Sequence, residues 1–200
     1  MELNQKIYLF RHGETVWNKA KRLQGHKDTP LTLQGVKQAQ AMGEKLSHVL
    51  KNIEPKFFFS SPIGRAHQTA TIIADSINFN TESITLEKKL KEITFGDWDG
   101  LNMEEILLDY ELIWQKRTKD KWTFAPPNGE SYEVASARVE RFLKEIPEEH
   151  PIIIVAHGSI NKVIRGCWRD LEPNEVFKLD EPQNGFYELT SDRHERFIEV

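Results

Sequence analysis

The run Pro151-Ile152-Ile153-Ile154-Val155-Ala156 sets the tightest limit on the fold. It has no polar side chain and is rich in β-branched residues. Such a strand has no face to give to water, so it needs helices on both sides, as central strands of parallel sheets have. Two shorter apolar runs behave alike, Ile7-Tyr8-Leu9-Phe10 and Phe57-Phe58-Phe59. Each run passes straight into polar residues: His157-Gly158, Arg11-His12-Gly13 and Ser60-Ser61-Pro62 respectively. Helical periodicity fills the intervals. Thr32 suits an N-cap for a helix with Leu33, Val36, Ala39, Gly43, Leu46 and Leu50 on one stripe, ended by Asn52-Ile53-Glu54-Pro55. Ser60-Ser61-Pro62 reads as a second helix start, serine cap then proline in the first turn, with Ala66, Ala70, Ile73 and Ile77 behind it. Strands alternating with helices predict an α/β fold, with a mostly parallel sheet between two helical layers.

The stretch from Thr15 to Pro30 is too irregular to assign. Ile84-Thr85-Leu86 is a weak strand, and Leu90 to Gly100 an ordered turn. Asn102 and Glu105 resemble a capping box for a helix over 103–118. Ser131 caps another helix, with Val134, Arg138, Phe142 and Ile146 along one side, and Ser159 is placed to cap the helix after His157. Strands over 186–190 and 196–200, joined at Ser191-Asp192-Arg193, close the chain. Residues 1–200 are read as one domain, with about 93–130 as a cap or lid segment.

A net charge of −4 and a pI near 6.0 provide no basic footprint, so nucleic acid is not an expected partner. Cys167 is the only cysteine, which rules out an internal disulfide and fits a reducing compartment. Met1 to Lys6 lack the long apolar core of a leader, and no run approaches a membrane span. A cytoplasmic protein without a membrane partner is expected.

In a parallel sheet the carboxyl ends of the strands share one edge, where ligands of α/β proteins bind. Arg11, His12 and His157 then meet there with Arg65, which lies near the start of a helix whose free N–H groups also favour anions. Two arginines and two histidines around one pocket suit a tetrahedral dianion, because guanidinium groups match its oxygens in pairs and stay charged.

Arg11-His12-Gly13-Glu14-Thr15 resembles the defining motif of the histidine phosphatase superfamily, which includes phosphoglycerate mutases. The likeness extends to Asn18, to Gln24-Gly25, and to Asp28, Pro30-Leu31-Thr32 and Gly35. It continues through Ser60-Ser61-Pro62 with Arg65-Ala66 and Gln68-Thr69-Ala70. Glu92 with Phe95-Gly96 and Trp98-Asp99-Gly100, then Gly129-Glu130-Ser131 and Ala156-His157-Gly158, complete it. The resemblance implies a phosphoglycerate mutase-like fold and a set of roles. His12 would attack phosphorus to give a phosphohistidine, which requires a neutral ring. Arg11, Arg65 and His157 would hold the phosphoryl oxygens, helped by Asn18, Gln24, Gly25 and the backbone at Gly158. Glu92 would protonate the leaving oxygen and then activate water. The scheme calls for no cofactor and no metal. Two departures stand out: Gly158-Ser159-Ile160-Asn161-Lys162, where the family often has Gly-Gly and a later arginine, and His26 in place of a bulkier residue.

His48, His67, His150 and His194 lack such context and read as surface residues. Arg22 is left open between an exposed cation and a ligand. Lys116, Arg117, Lys119 and Lys121 read as a solvated face, with attraction of an anionic substrate as the second reading. Trp98, Trp114, Trp122 and Phe124 read as packing. The short Phe95 to Gly100 segment resembles the phosphatase branch, so the expected activity is hydrolysis of a small phosphate ester. Mutase-type transfer is the alternative, and a non-catalytic phosphate-binding module a third. Alpha-ribazole phosphate, sugar phosphates, phosphoserine and phosphoglycerates all stay open as substrates, as does oligomeric state.

Overall fold

The computed structural model describes residues 6–51, 53–148 and 151–200. Asn52, His150 and the opening residues 1–5, on which some of the expectations above fall, lie outside these. Among the described residues six strands form one sheet in the order β3-β2-β4-β1-β5-β6. They are β1 Lys6–Arg11, β2 Phe57–Ser60, β3 Thr85–Leu86, β4 Pro151–Ala156, β5 Gly185–Thr190 and β6 Glu195–Glu199. The first four run parallel, and β5 turns antiparallel against β1 and carries β6 outside it. The α/β expectation therefore holds, with the closing hairpin as the antiparallel part.

The helices are α1 Val16–Lys19, α2 Leu33–Leu50, α3 Gly64–Ser76, α4 Met103–Lys119, α5 Tyr132–Glu145, α6 Gly158–Arg169 and α7 Pro173–Val176. Side chains of a strand alternate between faces, and β4 feeds two cores. Ile152, Ile154 and Ala156 pack with Val139, Phe142, Ile160 and Ile164 of α5 and α6. Ile153 and Val155 pack on the other side with Met42, Leu46, Ala70 and Ile73 of α2 and α3. All six β4 residues are buried. Among the described residues no helix is long and apolar enough to cross a membrane.

Several helix details differ from expectation. Leu33 is 74% exposed, and α2 instead buries Gly35, Ala39, Met42, Gly43, Leu46 and Leu50. Backbone proximity decides this. A Cβ on Gly35 would stand 2.1 Å from the Glu14 carbonyl oxygen, and one on Gly43 2.5 Å from Ser76 Oγ. Val134 likewise faces solvent while Tyr132, Ala135, Val139 and Phe142 face inward. Ser61 and Ser159 are not caps. Helix α3 starts at Gly64 after Ile63, beyond Pro62, and the Arg65 N–H donates to the Asp28 carboxylate at 3.2 Å. Helix α6 starts at Gly158 with His157 in the capping position, and Ser159 lies inside it. The caps at Thr32, Asn102 and Ser131 form as expected.

Helix α4 departs from helical geometry at Tyr110 (φ −132°). Of the basic cluster in its last turn, Arg117 is only 4% exposed and packs over the Phe95 ring, so it is not part of a solvated face. Trp98 is buried against Trp114 and Tyr110, and the half-buried Trp122 packs on Tyr132 and Phe177, which fits the packing reading.

Removing side-chain volume between the two helical layers should be costly. Ile154→Ala is expected to lose about 2–5 kcal/mol, the range for such core truncations. Denaturant unfolding measures it, and a loss under about 1 kcal/mol would contradict burial on both faces.

Candidate active site

The ladders bring the strand ends level: Arg11 pairs with Ala156, and Ser60 with Val155. The His12 N–H extends the ladder to the Ala156 carbonyl at 3.1 Å. Arg11, His12, Asn18, Gln24, Gly25, Arg65, Glu92 and Gly158 all line one cleft of about 330 Å³. His157 lies fully buried beside it, its ring 5.2 Å from that of His12. All nine residues singled out in the sequence thus converge. A larger cavity of about 540 Å³ sits toward the other end of α6, by Trp122, Leu143, Cys167 and Trp168, away from this cluster. Volume alone would select it, but the buried histidine pair lies at the smaller cleft.

The His12 ring has a defined tautomer. Nδ1 is 2.8 Å from the Gly13 carbonyl, which only accepts, so Nδ1 carries the proton. Nε2 then bears the lone pair, and Arg65 Nε donates to it at 3.2 Å. Burial, followed by the fields of Arg65 and Arg11, pushes this imidazole well below its usual range. Burial does the same to His157, reinforced by Arg65, His12 and Arg11. His157 Nε2 meets Ser61 Oγ at 2.8 Å, while its Nδ1 is buried without a partner among the described residues.

The two arginines differ. Arg65, 1% exposed, also donates to the carbonyls of Lys27 at 2.7 Å and Gly25 at 2.9 Å, and to Asp28 at 3.3 Å. It is locked in place before any ligand arrives. Arg11 donates through Nη1 to the Glu181 carbonyl at 2.5 Å, but its Nε is buried without a partner among the described residues. Asn18 Oδ1 accepts from the Thr15 N–H at 3.1 Å, which leaves Nδ2 for the cleft. Gln24 Oε1 is likewise turned back, 3.0 Å from the Thr15 hydroxyl. Gly25 has φ +50°, and a Cβ there would stand 1.9 Å from Asp99 Oδ1. Asp99 in turn accepts from the backbone N–H groups of His26 and Phe95, at 3.0 and 2.8 Å.

Glu92 does what Ser159 was expected to do. Its Oε1 accepts from the N–H groups of Ile93 at 2.9 Å and Ile160 at 3.2 Å, and Oε2 from Ser159 at 3.2 Å. The carboxylate therefore caps α6 at the cleft. Arg138, read in the sequence only as part of a helix stripe, grips this segment. It donates to the carbonyls of Lys89 and Lys91 and pairs with Glu130. Arg22 does line the cleft but is held by both Glu105 oxygens, at 2.7 and 3.0 Å.

Residues missed in the sequence also reach the site. Glu181, buried on Arg165, lines the cleft, and burial pushes its carboxyl up to about 7. Gln183 Nε2 donates to the His12 carbonyl at 2.9 Å. Among the described residues no three His, Cys, Asp or Glu side chains stand together as a metal site would need.

Residues 7–200 match the histidine phosphatase superfamily, branch 1, and the chain belongs to that family. A protein of Enterobacter sp. strain 638 named "probable phosphoglycerate mutase GpmB" is 34% identical over 169 residues, 81% of this chain and 72% of that protein. A putative alpha-ribazole-5'-P phosphatase of Escherichia coli K-12 shares the fold, with TM-score 0.84, 24% identity and coverage of 98% and 95%. A mycobacterial glucosyl-3-phosphoglycerate phosphatase superposes with TM-score 0.80 at 26% identity over 98% of both chains, and has also been solved with inorganic phosphate.

The depressed imidazoles give a direct test. In NMR titrations, the His12 and His157 rings should keep neutral-ring shifts at pH 6, below the ordinary histidine value of about 6.5. Protonated-ring shifts for either at that pH would contradict the electrostatics described.

Proposed function

We propose that the chain is a cytoplasmic phosphomonoester hydrolase that takes a small phosphorylated metabolite through a phosphohistidine on His12 Nε2. The observation that carries this is the pair of buried nitrogens without partners among the described residues, Arg11 Nε and His157 Nδ1, beside a neutral imidazole whose lone pair is on Nε2. An unmet buried donor costs about 1–3 kcal/mol; phosphoryl oxygens would satisfy Arg11 Nε, and His157 Nδ1 as well when the Ser61 hydroxyl donates to Nε2 and leaves the ring proton on Nδ1. With the Arg65 guanidinium and Asn18 Nδ2 they would supply positive charge and neutral donors where negative charge builds up on the phosphoryl oxygens, which is most of the catalysis in this chemistry.

In the first step the Nε2 lone pair, released by Arg65 Nε, forms the N–P bond while the ester P–O bond breaks. The leaving alkoxide takes a proton from Glu92. Oε1 already accepts two N–H groups and Oε2 one, so Oε2 is the oxygen that carries it. In the second step water loses a proton to the Glu92 carboxylate and attacks phosphorus. The N–P bond breaks, leaving inorganic phosphate and neutral His12. Residues 1–200 serve as one catalytic unit, with 93–130 as the cap segment, which brings Phe95 to the cleft.

Mutase-type transfer is the second reading, favoured by the mutase-named relative. A non-catalytic module is disfavoured by the complete set of groups. With labelled nitrophenyl phosphate and excess phosphoglycerate, label should pass to water as inorganic phosphate, and His12→Ala should abolish turnover. Label recovered on the added acceptor would convert the reading to a mutase. Near wild-type turnover in His12→Ala would end the phosphohistidine mechanism.

Glu92→Gln separates acid catalysis from binding. General acids contribute about 10²–10⁴-fold, and an alkoxide needs the proton far more than a nitrophenolate does. Alkyl phosphate cleavage should therefore collapse. Nitrophenyl phosphate should give a burst of nitrophenol followed by slow turnover, with trapped phosphohistidine. Equal losses for both esters, without a burst, would assign the acid elsewhere.

A further inference from the structure

We infer that Gln183 is a positioning residue for phosphoryl transfer, acting on the nucleophile and, through Asn18, on the phosphoryl group; the inference rests on the phosphohistidine reading above. Gln183 lies in the short segment that enters β5. Because β5 runs antiparallel to β1, with Phe186 opposite Phe10, this segment arrives at the edge where β1 delivers Arg11 and His12. Gln183 Nε2 is 2.9 Å from the His12 carbonyl and 3.4 Å from Asn18 Oδ1.

Neither amide is free to turn over. A backbone carbonyl only accepts, so the Gln183 nitrogen must face His12. A backbone N–H only donates, so Asn18 Oδ1 must face Thr15, at 3.1 Å. One Gln183 nitrogen thus serves two acceptors with its two protons. The backbone of the nucleophile is pinned, and Asn18 is held with Nδ2 toward the cleft that it lines. The segment is itself anchored. The Glu181 carbonyl accepts from Arg11 Nη1, and Arg165 holds the Glu181 carboxylate at 2.8 Å. Three phosphate-handling groups, Arg11, His12 and Asn18, therefore take their orientation from residues 181–183.

A glutamine that merely fills the loop would be replaceable by an isostere. Gln183→Met keeps the shape and removes the donor. Gln183→Glu, when ionised, sets an acceptor against two acceptors. The burst rate of nitrophenol from nitrophenyl phosphate reports phosphorylation, with thermal melting alongside. Gln183→Met should slow the burst about 10-fold, the worth of one lost hydrogen bond, with KM changed less than about 3-fold. Gln183→Glu should be slower still at pH 8 and recover on acidification, when its protonated carboxyl donates again. In an Asn18→Ala background, adding Gln183→Met should cost less than about 3-fold, because coupled residues are not additive.

A Gln183→Met burst within twofold of wild type would overturn the proposal, as would an equal loss with and without Asn18. If Gln183→Met does not fold, the pH profile of Gln183→Glu decides: recovery at low pH supports the proposal and a flat profile overturns it. Near wild-type turnover in His12→Ala, with no phosphohistidine trapped, would overturn the parent reading, a result distinct from a phosphorylation step that Gln183 variants leave intact.

Discussion

The in-register pairing of β1 with β4 is the constraint on which the site depends. Lys6 opposite Pro151 through Arg11 opposite Ala156 makes both strands end at the same level. Parallel ladders carry evenly spaced bonds, so the two chains leave the sheet together, one on Arg11-His12 and the other on His157. The 5.2 Å between the histidine rings follows from that alignment. A slip of one residue would turn every side chain of β4 to the opposite core, and the two cores hold different helices.

Charge is then distributed unequally, and this unevenness is what makes the cleft receptive. Most of the donors of Arg65 are used on Gly25, Lys27, Asp28 and His12, so its position is set by the protein. Arg22 is absorbed by Glu105. Arg11 Nε and His157 Nδ1 are left over. A buried nitrogen without a partner fits a place where the proposed phosphoryl ligand would meet it. The neutral state of both imidazoles comes chiefly from burial, with the arginine fields second.

Much of this was legible in the sequence, for identifiable reasons. The apolar run 151–156 demands cover on both faces, and the parallel-sheet rule carries His12, His157, Arg11 and Arg65 to one edge. Glu92, Asn18 and Gln24 came from the motif likeness. Caps were less legible. Ser61 and Ser159 have the right chemistry, but Asp28 and Glu92, remote in sequence, satisfy those helix starts instead. Arg117 looked solvated because its neighbours are lysines; its burial depends on Phe95, 22 positions away. Gln183 had no signal at all. Strand-end reasoning looks to where parallel strands finish, whereas this residue comes from an antiparallel strand just before it begins.

The contact between Gly25 and Asp99 has a consequence for anyone redesigning this protein. Asp99 holds the backbone of His26 on one side and of Phe95 on the other, and leaves no room for a side chain at position 25. The carbonyl of Gly25 is in turn a fixed point for Arg65. The Phe95 wall, an obvious place to randomise for a new substrate, is therefore mechanically joined to the arginine beside His12. Libraries that diversify residues 94–99 will sample loop shape and turnover together. Variation at Lys162, carried by α6 and not by this loop, offers a route to altered selectivity that leaves the contact alone.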